Sequence, residues 1–92
     1  MKSHITKRFR EAFKNLPVHI QQQAREAYQL FKTNPEHSSL QFKPIQRLQN
    51  IYSVRVSSSY RALGVKDGND IVWFWIETFI VSFILFISTF VI

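Results

Sequence analysis

Apolar positions in the first third of the chain recur at helical spacing. Ile5, Phe9, Ala12, Phe13 and Leu16 fall on one face and Lys7, Arg8, Arg10, Glu11 and Lys14 on the other, which predicts an amphipathic helix with Ser3 as its N-cap. Pro17 breaks that helix and can open the next, because a proline in a first turn gives up no needed N–H. The second helix is predicted over about 18–31, with Ile20, Ala24, Ala27, Tyr28 and Phe31 on one face, and Asn34-Pro35 stops it. So short a connection forces an antiparallel helical hairpin.

The period then changes from helical to alternating. Residues 40–43 read as a short strand, with Pro44 ending it or marking a sheet edge. In 51–57, Tyr52, Val54 and Val56 alternate with Ile51, Ser53, Arg55 and Ser57. Three serines, Ser57 to Ser59, make a polar turn into a third strand over 60–66, where Tyr60, Ala62 and Gly64 oppose Arg61, Leu63 and Val65. Asp67-Gly68 is a hairpin signal, and 71–76 is a fourth strand apolar enough to be covered on both faces. The expectation is an α+β fold: an N-terminal antiparallel helical hairpin packed on one face of a four-stranded, mainly antiparallel sheet.

Beyond it the pattern fails. The segment TFIVSFILFISTFVI over 78–92 has eleven Phe, Ile, Val or Leu among its fifteen residues and no charge, and neither period separates two faces. The chain therefore divides into a domain over 1–77 and an apolar tail over 78–92. A helix of that tail spans roughly 22 Å against a hydrocarbon core of about 30 Å. Extending a membrane span back over 71–92 places Glu77 inside it, at a cost of roughly 2–3 kcal/mol. The competing expectation is a tail foreign to its domain, as a frameshifted or degenerate copy would carry. The basic N-terminus lacks the apolar run of a secretory signal.

Charge narrows the partners. Twelve Lys and Arg against six Asp and Glu give a formal +6 in 92 residues, a balance suited to a polyanion, an anionic surface or an acidic protein. The absence of cysteine removes disulfides and thiol chemistry. His4, His19 and His37 fall in different elements without metal-ligand spacing, so solvated or capping roles are expected and no metal or cofactor is. The six carboxylates form no pair suited to glycosidase or divalent-metal chemistry.

The basic residues in strands carry more. Arg55 and Arg61 lie on consecutive strands joined by a short turn, so their side chains can meet on one face, and Lys43 and Arg47 bracket the preceding strand and loop. Four converging cations would make a phosphate-binding surface. The alternative is arginines paired with carboxylates or lying on a solvated face. Trp73, Phe74 and Trp75 have core character rather than that of a base-stacking platform.

The stretch IYSVRVSSSYRALGVKDGNDIVWFWI, with its Y-x-V-R-V, Y-R-A-L-G-V, Asp-Gly hairpin and closing V-W-F-W-I, resembles the RelE/ParE superfamily of toxin–antitoxin toxins, as does LQFKPIQ upstream. The resemblance covers about residues 5–77 and implies a cytoplasmic toxin acting in translation inhibition or plasmid stabilisation. It implies a ribosome-dependent, metal-independent mRNA endoribonuclease, with Arg61 stabilising transition-state charge, Arg55 as a second catalytic residue at a basic position of the second strand, and Lys43 and Arg47 on RNA. It implies a cognate acidic antitoxin, with mRNA and the ribosome as further partners. ParE-like members instead poison DNA gyrase without cutting RNA, and the apolar stretch over 71–92 suggests a membrane-associated protein as a third reading. Close relatives continue past the last strand with Gly and then a polar T-H-x-x-Y-D-x-L segment; here Glu77 and the apolar tail stand instead. The resemblance therefore leaves open both the activity and the residue that transfers the proton.

Overall fold

The computed structural model describes residues 1–45 and 50–78. Its elements are β1 (Lys2–Ile5), α1 (Lys7–Lys14), α2 (Val18–Thr33), a 3₁₀ turn (Ser38–Leu40), β2 (Lys43–Pro44), β3 (Ile51–Arg55), β4 (Tyr60–Asp67) and β5 (Asp70–Thr78). The strands form one sheet in the order β1-β5-β4-β3-β2, antiparallel throughout except for β1, which runs parallel to β5.

The helical hairpin on a sheet is the expected α+β architecture, with five strands rather than four. The additional strand, β1, takes residues that the helical pattern had absorbed. Ser3 consequently caps nothing: the chain stays extended to Thr6, whose Oγ1 accepts the Phe9 N–H at 3.0 Å and starts α1. Ser3 instead accepts a hydrogen bond from the indole Nε1 of Trp73 at 2.9 Å.

The α1–α2 connection is closed from within. Gln21, in the first turn of α2, points its Nε2 at the carbonyls of Phe13, Lys14 and Leu16, at 3.1, 3.3 and 3.2 Å. Phe13 and Lys14 belong to the last turn of α1 and Leu16 to the connection, so one side chain ties the end of the first helix to the start of the second.

The strand expected over 40–43 is confined to Lys43–Pro44. Leu40 closes the 3₁₀ turn, its N–H bonded to the His37 carbonyl at 3.0 Å, and Gln41 follows at φ 46°, a left-handed backbone that no strand can continue through. Pro44 does lie on an edge strand. In the β3–β4 turn, Ser57 Oγ accepts the N–H groups of Ser59 and Tyr60 at 3.3 and 3.2 Å, so the serine run folds on its own side chain. The β4–β5 loop is Gly68-Asn69 between the paired Asp67 and Asp70, with positive φ at Gly68 alone, the signature of a type II′ turn.

One irregularity decides which face β5 presents where. Leu63 pairs with Trp75 but Gly64 with Trp73, so Phe74 is an extra residue in the ladder. The shift lets Trp73 and Ile76, three residues apart, both enter the helix-facing core with Ala24, Phe31, Leu40, Val54, Ala62 and Ile71. Trp73 also meets Phe31 edge-on at 5.3 Å between ring centroids. Gly64 is what admits the indole: a Cβ there would sit 2.7 Å from Trp73 Cε3 and 3.0 Å from Ile71 Cγ1.

β5 is flanked on both sides by β1 and β4, so residues 71–78 are a central strand rather than the start of a membrane-spanning helix. Among the described residues no helix is long and apolar enough to cross a membrane. The tail over 79–92 and Arg47 lie outside the described residues.

Candidate functional site

Directly opposed residues of an antiparallel ladder share a face, and the helices cover the face bearing Val54, Ala62 and Ile76. The opposite face carries two rows. Arg55, Arg61 and Glu77 lie side by side across β3, β4 and β5; Lys43, Ser53, Leu63 and Trp75 form the next row across β2 to β5. Alternation in Tyr-Ser-Val-Arg thus sends Arg55 away from the core, and the tight serine turn brings Arg61 back beside it.

Arg61 is held from two sides. Its Nη1 donates to Ser53 Oγ at 3.0 Å and its Nη2 to Gln41 Oε1 at 3.1 Å. Ser53 is fully buried, so its hydroxyl is a fixed anchor beneath the guanidinium. Gln41 reaches the site from the left-handed position that ends the 3₁₀ turn. Arg55 donates its Nε to the Ser57 carbonyl at 3.3 Å.

Burial, and after it the neighbouring Arg55, lowers the pKa of Arg61. An arginine keeps its proton at any physiological pH, so this lowering means that the cation is held at an energetic cost. Two guanidiniums directly opposed on one face repel. A phosphate placed between them relieves that repulsion and accepts forked hydrogen bonds from both.

The structure therefore places Arg55, Arg61 and Lys43 on one face, as the spacing implied. Sequence reasoning missed Ser53, Gln41 and Glu77. Ser53 was findable, being the polar alternate between Tyr52 and Val54 on the Arg55 side. Gln41 had no sequence signal, since it reaches Arg61 only through the turn. The histidines behave as spacing suggested: His37 Nδ1 accepts the Ser39 N–H at 3.2 Å to cap the 3₁₀ turn, His19 is exposed on α2, and His4 sits 3.9 Å from Asp70 on the exposed β1–β5 edge. Trp73 is core, as expected; Trp75 is half-buried on the outer face, with the Arg8 guanidinium 5.1 Å from its ring centroid.

Residues 18–78 match the family model of the ParE-like toxin domain. The chain belongs to that family, and so is a toxin of the toxin–antitoxin class with a RelE-type fold. The toxin fold in the RelB-RelE antitoxin–toxin complex of Methanococcus jannaschii superposes with a TM-score of 0.73 at 19% identity, over 90% of this chain and 98% of that one. YafQ from Escherichia coli BL21(DE3) gives 0.70 at 11% identity, covering 89% and 97%, and the YoeB/ParE toxin from Agrobacterium tumefaciens gives 0.65 at 12%, covering 85% and 98%. No curated protein matches the sequence.

Proposed function

We propose that the chain is a metal-independent endoribonuclease of the RelE kind, cutting mRNA on the ribosome, with Arg61 as the residue that stabilises charge on the phosphorane. The observation that carries this reading is the directly opposed pair Arg55 and Arg61, with Arg61 pinned by buried Ser53 and by Gln41 on the face opposite Val54, Ala62 and Ile76. A guanidinium fixed before the reaction costs no reorganisation when charge develops on phosphorus. Arg55 and Lys43 contact flanking phosphates in this reading.

An acidic antitoxin is the protein partner in the same reading. Support comes from charge and from a groove of about 200 Å³ between α1 and α2, floored by Ile5, Phe9, Phe13, Ala24 and Tyr28 and rimmed by Arg10 and Arg25. Ile5 is 41% exposed there, an apolar side chain waiting for cover. Acidic residues flanking an apolar stripe would meet both features. The RelE relatives from M. jannaschii and Pyrococcus horikoshii stand in complexes with RelB.

A second reading is favoured by the family description itself: a ParE-like inhibitor of DNA gyrase, which needs no cleavage chemistry. Induced expression of the full chain, followed by primer extension on transcripts and capture of gyrase–DNA complexes, separates the two. Ribosome-dependent cuts that fall by about 10²-fold or more in Arg61→Ala support the nuclease. Growth arrest with intact transcripts and trapped gyrase–DNA complexes would replace it with the second reading.

A further inference from the structure

The nuclease reading needs a proton acceptor, and neither arginine nor lysine is one at neutral pH. The row that holds the two catalytic arginines ends in a carboxylate. Glu77 pairs with Arg61 across the β4–β5 ladder, as Arg61 pairs with Arg55 across β3–β4, so the three side chains leave the same face at successive strands. Cβ atoms of such partners lie about 4.5–5.5 Å apart, a spacing that brings a carboxylate beside a phosphate held by the guanidinium. Glu77 is half-buried and is the one carboxylate in these two rows among the described residues.

We infer that Glu77 is the general base of this chain, taking the proton from the RNA 2′-hydroxyl next to the phosphate bound by Arg61. This inference rests on the nuclease reading and deepens it. The 2′-O–H bond breaks as the carboxylate accepts the proton, and the 2′-oxygen bonds to phosphorus. The bond from phosphorus to the 5′-oxygen then breaks, and that oxygen keeps the electron pair and takes a proton from solvent. Glu77 returns its proton to water, so the products are a 2′,3′-cyclic phosphate and a 5′-hydroxyl with no net change in protons. Among the described residues, the charged groups that the register and contacts set on this side of Glu77 are Arg61 directly opposite on β4, Arg55 one strand further on β3, and Arg8 of α1 above Trp75, while Lys43 on β2 lies three strands away. His4 on β1 is opposite Val72, five residues back along β5 and roughly 16 Å away, too far to share the proton.

The test is single-turnover cleavage of mRNA on programmed ribosomes by the full chain and by Glu77→Gln and Glu77→Asp, measured across pH. Glu77→Gln is expected to lower the rate by about 10²-fold or more and to abolish the acid limb of the pH–rate profile. Affinity for the programmed ribosome should stay level or rise, because a negative charge leaves a cationic face. Glu77→Asp should restore part of the rate together with the acid limb, which a merely structural carboxylate would not do. A Glu77→Gln chain that cuts at the wild-type rate, or with an unchanged pH profile, overturns the inference and leaves the nuclease reading standing. Absence of cleavage by the wild-type chain overturns the nuclease reading itself.

Discussion

At the scale of single residues, two positions make demands that their neighbours explain. Gly64 faces Trp73 at a distance that leaves no room for a methyl group, and Trp73 cannot retreat, being 3% exposed, hydrogen-bonded to Ser3 and wedged against Phe31. Gly64→Ala is expected to destabilise the fold by about 1–3 kcal/mol through overpacking, read as a lower midpoint in urea with an unchanged slope. Thr6 supplies the cap of α1, so Thr6→Ala should cost about 1 kcal/mol by the same measurement, while Ser3→Ala should act instead through the Trp73 indole. The identity of the cap was open to sequence reasoning in kind but not in place: Ser3 and Thr6 both carry a hydroxyl that can cap a helix. The sheet decided between them by holding residues 2–5 extended, with the Thr6 N–H on the Trp73 carbonyl at 3.0 Å.

At the scale of elements, β1 is the segment that local pattern could least reveal. Lys-Ser-His-Ile has no alternation of its own, and its partner β5 is nearly seventy residues away in sequence. It covers an otherwise open edge of a long apolar strand, a position that invites pairing between chains. Deleting residues 1–5 is expected to expose that edge and the Trp73 indole together. The outcomes to measure are a red shift of tryptophan emission and growth of larger species in light scattering. The other strands were legible because alternation and turn chemistry agree: the serine turn and the Asp67–Asp70 hairpin lie where the residues put them. The strand before them was drawn too long because Leu40-Gln41-Phe42-Lys43 alternates perfectly, and only the left-handed backbone of Gln41 interrupts it.

At the scale of the whole molecule, charge and apolar surface divide between two sides. Helices cover one face of the sheet, and Lys43, Arg55 and Arg61 occupy the other. If these three cations each displace a counterion from single-stranded RNA, the logarithm of the binding constant should fall against that of salt with a slope of roughly −2. Arg61→Ala should flatten that slope by roughly 0.7, whereas Arg25→Ala, on the helical side, should leave it unchanged and weaken antitoxin binding instead. Filter binding of RNA over a salt series reads the first effect, and calorimetry with the antitoxin reads the second.

The sequence by itself determined the helical hairpin, the antiparallel strands from Ile51 onward and the co-location of Arg55 and Arg61. All of these follow from spacings of a few residues: a 3.6 period, an alternation, a turn too short to let two strands part. Tertiary structure alone decided the fifth strand, the step in β5 that turns both Trp73 and Ile76 inward, and the set of groups around Arg61. Local alternation puts Ser53 on the Arg55 side, but Gln41 and Glu77 come from a turn and another strand, and they join it only because the ladders set their register. Register is fixed by burying one whole face at once, a condition that belongs to no local segment and so leaves no local trace.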